Sequence, residues 1–242
     1  IEIIESSFIQ NRAAQSGGAM SITDVEYFRI FDSYLLNNSA ANYGGAISLY
    51  NTLYSLFHRC NFKSNNADLK GGTIYSHTTR CIYSTDSKFL NSKSGSGGAI
   101  YTANLHSLNM TNNVFSNNIA NSQKGGAIFF EGSRIYMNHK CILFKNYAKS
   151  LGGAIYMNGK DKSYAMIHQI HVEGNRASDG GGLYISFSNN VSIANVFFIS
   201  NFAYNIGGAI TLFITSIQIT SVYFGHCHFA GNTAKKSGTT MS

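Results

Sequence analysis

Eleven carboxylates, eight histidines and four cysteines are the side chains of this 242-residue sequence that could do chemistry. Cleaving a polysaccharide would need two or three carboxylates to converge, one protonated as the acid and another ionised as base or nucleophile. One series of positions carries acids at a regular interval: Asp32, Arg59, Asp86, Asn112 and Lys140. Its alternating signs read as a surface charge ladder, and a catalytic or calcium site is the competing reading. No second acidic series accompanies it, so the enzyme case is poor. Cys60, Cys141 and Cys227 share a second series and Cys81 lies elsewhere. They read as free, inward-facing thiols that pack like small hydrophobes. His168 and His171 are a close pair with no third ligand series to complete a metal site, so neither a metal nor a cofactor is expected.

Such series exist because the whole chain repeats. Glycine pairs begin at Gly17, Gly44, Gly71, Gly97, Gly125, Gly152, Gly180 and Gly207, with a degenerate ninth at Gly238. Successive steps lie between 26 and 31 residues, mostly 27. An asparagine precedes each pair: Asn11, Asn38, Asn65, Asn91, Asn118, Asn146, Asn175, Asn201 and Asn232. Three residues earlier stands an apolar residue such as Phe8, Leu35, Phe62, Phe115 or Phe198, and two residues later an alanine. The fourth copy breaks both rules, with Lys88 and Lys93 at those places and Phe89 one residue late, which predicts a local bulge.

The unit is therefore F-x-x-N-x-A-x-x-x-G-G-A-I followed by a β-rich stretch. Period-two alternation surrounds the glycines, as in Ala154-Ile155-Tyr156-Met157, and no helical stripe persists over three turns. Three short strands and their turns per copy make one coil of a solenoid. Stacking in register at about 4.8 Å puts equivalent residues above one another, so nine coils give a rod of roughly 43 Å. An asparagine column then bonds amide to amide along the stack. Three coils, roughly 14 Å, part successive members of the cysteine series, too far for a disulfide. Proline is absent, as a ladder needing every N–H demands. An apolar fraction of 44% excludes disorder, the missing proline and triplet period exclude collagen, and four cysteines exclude a disulfide scaffold.

F-x-x-N paired with G-G-A-[ILV] resembles the repeat of the polymorphic outer membrane proteins, first known from chlamydial autotransporters. Phe8, Asn11, Gly17, Gly18, Ala19 and Met20 open the match, and Phe198, Asn201 and Gly207–Ile210 give its clearest late copy. The resemblance covers essentially the whole chain. It implies an all-β fold, a single right-handed parallel β-helix of about nine coils, together with a place on the cell surface and adhesion to other cells. Residues 1–242 read as one domain, and with Ile1 falling inside a repeat they read as part of a longer repeat protein.

Four residues after the first glycine come Tyr75, Tyr101, Phe129, Tyr156 and Tyr184, beside an aliphatic column that must face inward. The rings then face outward. They either stabilise the sheet face or dock a glycan or protein. Residues 180–225 contain no charged side chain. They read as coils covered by flanking coils or a partner chain, with a neutral Ser/Thr/Asn surface as the alternative, and polar interruptions exclude a transmembrane helix. The net charge of +7 is spread among turns without a phosphate-tracking stripe, so nucleic acid is not expected. Sequons at Asn37, Asn109 and Asn190 are possible glycosylation sites. The function expected is a non-enzymatic, surface-exposed module for adhesion or structural assembly, meeting a protein or glycan on a cell surface. A carbohydrate-active β-helix enzyme, either lyase, hydrolase or depolymerase, is the alternative, and a filament or shell subunit a third reading.

Overall fold

The computed structural model describes residues 1–187, 190–214 and 221–236, and these contain strands and turns but no helix. Every strand pairs with its counterpart one repeat away, and always in parallel. Leu35 stands over Phe8, Phe62 over Leu35 and Phe89 over Phe62. Three parallel sheets result. The second runs from Ser7–Ile9 to His228–Ala230 and the third from Arg12–Ala13 to Thr233–Ala234, each with nine strands among the described residues. Nine stacked strands bound eight full turns, and the expected all-β solenoid is the fold observed.

The first sheet changes along the rod. Early coils contribute two strands each, such as Ile74–His77 and Cys81–Thr85, parted by a left-handed corner at Asp24, Asn51 or Thr78. In the middle coils the two fuse into the long strands Ile100–Thr111, Ile128–Asn138 and Ile155–His168. The first of these keeps the corner at Asn104, φ 55°, and a register shift between Thr102 and Leu105 absorbs its loss in the next coil.

Inward columns make the core. Ile47, Ile74, Ile100, Ile128, Ile155, Leu183 and Ile210 are fully buried in one column. In another, Phe62, Phe89 and Phe115 stack at 4.7 and 4.6 Å. Register stacking forces like onto like, and offset rings fill that spacing well. The two glycines of each pair have different tasks. The first bends the chain at φ between 61° and 69°. The second lies so close to the next coil that a Cβ on Gly126 would collide with the Gly153 carbonyl oxygen.

Candidate functional site

The asparagine column is the most regular polar feature, and its geometry is that of a staple between coils. Asn146 Oδ1 accepts hydrogen bonds from the backbone N–H and the Nδ2 of Asn118, both at 3.0 Å. Its own Nδ2 donates to the Phe115 carbonyl and to Asn175 Oδ1, both at 3.0 Å. The same pattern links Asn11 to Asn38, Asn38 to Asn65, Asn175 to Asn201 and Asn201 to Asn232. Beyond the open first coil these amides are buried, and their bonding capacity goes to the backbone of the preceding coil and to the amides on either side. They are structural.

One member of the expected ladder is misplaced. Lys88 stands over Asn61, Phe89 over Phe62 and Lys93 over Asn66, so the rung above Asn65 is Ser92 and Asn91 lies one residue outside the ladder. Asn91 occupies an exposed left-handed corner at φ 54°. No bulge forms at Phe89. The coil is shortened in the turn before Gly97, and counting back from the glycines shifted the reading by one. Ser92 Oγ bonds Thr73 Oγ1 at 2.8 Å. Thr73 holds the place of the alanine after the glycine pair, so two departures from the repeat meet in space.

The acidic series lies on a left-handed corner, with φ between 49° and 63° from Asp32 to Lys140. Arg59 grips the Asp32 carboxylate with two bonds, Nε–Oδ1 at 2.5 Å and Nη2–Oδ2 at 2.7 Å. Those bonds hold the Asp32 carboxyl below its ordinary pKa. Asn112 Nδ2 donates to Asp86 at 2.6 Å, and His58 approaches Asp86 at 3.6 Å. Both carboxylates of the series are thus bonded to side chains of a neighbouring rung. His168 bonds Ser192 and His171 bonds Glu173, so that pair does not converge. Among the described residues no three His, Cys, Asp or Glu side chains gather as a metal site would require.

All four cysteines are free thiols. Cys60 and Cys141 lie in the column that caps backbone N–H groups, and Cys141 Sγ accepts from the Asn113 N–H at 3.4 Å. Burial pushes both thiols up to about 11. They are poor nucleophiles at neutral pH.

The aromatic column does face away from the main core, where it forms an apolar seam of its own. Tyr75, Tyr101, Phe129 and Tyr156 are nonetheless only 6–8% exposed, and Tyr184 is half-buried. The residues that precede the glycine pairs cover them. Tyr43 stacks on Tyr75 at 4.6 Å, Lys70 Nζ lies 4.7 Å over Tyr101, and Lys124 Nζ lies 4.4 Å over Tyr156 and bonds its hydroxyl at 3.2 Å. An open ring stripe is therefore not what the fold presents; a ligand would meet the rings only after these side chains moved. Alternation gave the direction of the rings but not their cover. The signal for the cover was the residue ahead of each glycine pair, which includes Tyr43, Lys70, Lys124 and Leu151.

Of the sequons, Asn37 and Asn190 are exposed, whereas Asn109 is half-buried with its Nδ2 on Ser107 Oγ at 3.0 Å. The uncharged stretch exposes several large apolar side chains, with Phe197, Phe213, Ile214 and Tyr223 each more than half open. Residues 188–189 and 215–220 of that stretch lie outside the described residues. Among the described residues no helix is long and apolar enough to cross a membrane.

With the columns in place, the match to a known repeat family falls on the same residues. The family profile of the Chlamydia polymorphic membrane protein repeat matches residues 32–50 and 114–131, each an Asn-to-Gly-Gly-Ala-Ile passage of the coil. The chain carries Pmp-like repeats. It is also similar to the probable autotransporter YfaL of Escherichia coli (strain K12), with 37% identity over 82 residues. That stretch is 31% of this chain and 6% of the relative, so the chain spans a small part of the relative's length. No solved structure matches. Both matched passages contain the asparagine, the two glycines and the Ala-Ile that follows them.

Proposed function

We propose that the chain is a non-enzymatic, surface-displayed β-helix module used for adhesion or structural assembly, meeting a protein or glycan on a cell surface. One observation carries the reading: the aliphatic core column hardly varies from coil to coil, whereas the outward column of the second sheet changes residue type at almost every rung. Tyr34, Asn61, Lys88, Val114, Ile142, His171 and Phe197 succeed one another on the outer face of the second sheet. A frame that is conserved in itself and variable outside is suited to display. The Pmp-like repeats and the similarity to an autotransporter support a cell-surface setting. Exposed Phe197, Phe213, Ile214 and Tyr223 in a stretch without charge support contact with a flanking coil or partner chain along 180–225.

The purified chain coupled to beads should retain cultured cells or partner surfaces in a flow chamber, and should release no reducing ends from polysaccharides. Beads that retain nothing above an albumin control would sink the adhesive reading. Soluble sugar released at a rate abolished by a carboxylate-to-amide change would replace it by the enzyme reading. For the covered stretch, amide exchange in the native assembly is expected to be slow at Phe197 and Tyr223, and exchange as fast as in the isolated chain would refute coverage. For the aromatic column, Tyr101→Ser with Tyr156→Ser should lower the unfolding midpoint; a loss of bead adhesion at full stability would instead make it a docking stripe.

A further inference from the structure

The third sheet has a face that the spacing of charges along the chain conceals. Its inner strands bury an alanine, as at Ala120, Ala148 and Ala177, or Ser94 in the fourth, and the residues on either side of that position turn outward. Register stacking gathers these flanking residues into two parallel columns. The cations in them are Arg12, Lys93, Lys149, Arg176 and Lys235, against one carboxylate, Asp68. All five cations are exposed, and among the described residues none is paired with a carboxylate. The face therefore holds a net charge of +4, from five cations less one carboxylate, out of the +7 of the whole chain.

Near the C-terminal end two rings interrupt the row. Phe202 and Tyr204 meet edge to face at 4.9 Å. The Arg176 guanidinium lies 4.6 Å from the Phe202 ring centre and 5.3 Å from that of Tyr204. From the coil on the other side, Lys235 Nζ lies 5.9 and 5.6 Å from the same two rings. Cation–π contact holds both positive groups over the rings, and among the described residues neither side chain pairs with a carboxylate. Toward the other end of the columns a trough of about 560 Å³ is lined by amides and charges, including Asn66, Asp68, Lys93 and Asn121.

We propose that this face binds a linear acidic polysaccharide, one bearing carboxylates or sulfates, laid along the rod axis with Arg176 and Lys235 as its principal anion contacts. A guanidinium recognises a carboxylate or sulfate by two parallel bonds, and the amides of the trough suit sugar hydroxyls. Two observations favour a glycan over a single-stranded nucleic acid. The cations already occupy the flanks of the rings along the axis, so bases have no platform on which to stack. The five cations are also spread over nine rungs, about one per 9 Å, sparse beside a phosphate every 3.4 Å or so along a strand. This deepens the surface-module reading by naming a ligand class, but its chemistry resides in the isolated chain.

The test is affinity of the purified full chain for heparin and for polygalacturonate at low salt, with neutral dextran and oligo(dT) alongside. Both acidic glycans should bind and dextran should not. The double variant Arg176→Gln/Lys235→Gln should weaken heparin binding at least tenfold and lower the log–log salt slope by about two, one for each cation removed. The double variant Lys63→Gln/Lys88→Gln removes the same charge from the second sheet and should change affinity less than twofold. Equal losses from the two pairs would show diffuse attraction rather than a site, and oligo(dT) binding tighter than both glycans would reassign the face to nucleic acid. Either result overturns the proposal. Unchanged circular dichroism excludes misfolding, and Tyr204→Ala offers a second variant with the charge row intact, expected to weaken binding severalfold. Tight heparin binding by beads that retain no cells would leave this site standing and remove only the adhesive reading.

Discussion

Asn146→Ala tests the staple at the middle of the rod. The change leaves the Asn118 N–H, buried between coils, without its acceptor and strips the Nδ2 donor from the Phe115 carbonyl. It also removes two amide-to-amide links, to Asn118 and Asn175. An orphaned buried backbone group costs about 1–3 kcal/mol, and the links add a smaller amount because water competes for them in the unfolded chain. The sum is a loss of roughly 2–4 kcal/mol, with little cavity contribution because the amide is small. Urea denaturation followed by circular dichroism reads the total. Because a solenoid can open coil by coil, amide exchange at Asn118 should accelerate more than at Asn38, several coils away. Asn117→Gly, one residue earlier at an exposed corner of φ 54°, is the comparison and should leave stability within about 0.5 kcal/mol. If Asn146→Ala costs no more than this neighbour, or if Asn118 exchange does not change, the asparagine column is ornament and the account of coil-to-coil cohesion is wrong.

Gly126→Ala should abolish soluble folded protein, because the Gly153 carbonyl of the next coil occupies the space of its Cβ, whereas Gly174→Asn, whose Cβ would meet only Lys145 Cγ at 3.3 Å, should express and melt near the parent. Ser92→Asn alone should destabilise, since the Thr73 hydroxyl fills the place of the amide; Ser92→Asn with Thr73→Ala should restore the missing rung and raise stability by about 1 kcal/mol, as read by the urea midpoint. Cys60 and Cys141 ionise near 9.0 when unfolded but only at about 11 when folded, so their contribution is complete below pH 9 and is lost as pH rises through 11. Replacing both by serine should flatten that alkaline limb of a stability–pH curve. A curve that falls as steeply without them would refute the assignment.

The repeat was legible because its invariant positions are those where one coil touches the next. A Cβ at Gly126 or an alanine at Asn146 damages two coils at once, so each copy records the contact independently. The aliphatic column through Ile100 and Ile155 was legible for a related reason, since period-two alternation in a parallel strand assigns every residue to one side. Reading failed where a count along the chain stood in for a register in space. Asn91 and Ser92 are adjacent, and the choice between them depends on whether the coil is shortened before or after the asparagine; the glycine spacing contains only the total.

The exterior was the least readable part. Tyr101 and Tyr156 point outward as alternation requires, yet their exposure depends on Lys70 and Lys124, which stand in turns of other coils. Arg176 and Lys235 are 59 residues apart in the chain, and only stacking brings them to the same two rings. From the amino-acid order alone come the solenoid, its period, its core columns and its intolerance of proline, because these follow from contacts each copy makes with its own kind. Which outward side chains meet, which are covered and where positive charge gathers was decided by the tertiary structure, because those neighbours come from different coils and their meeting depends on the small insertions and deletions that set the register.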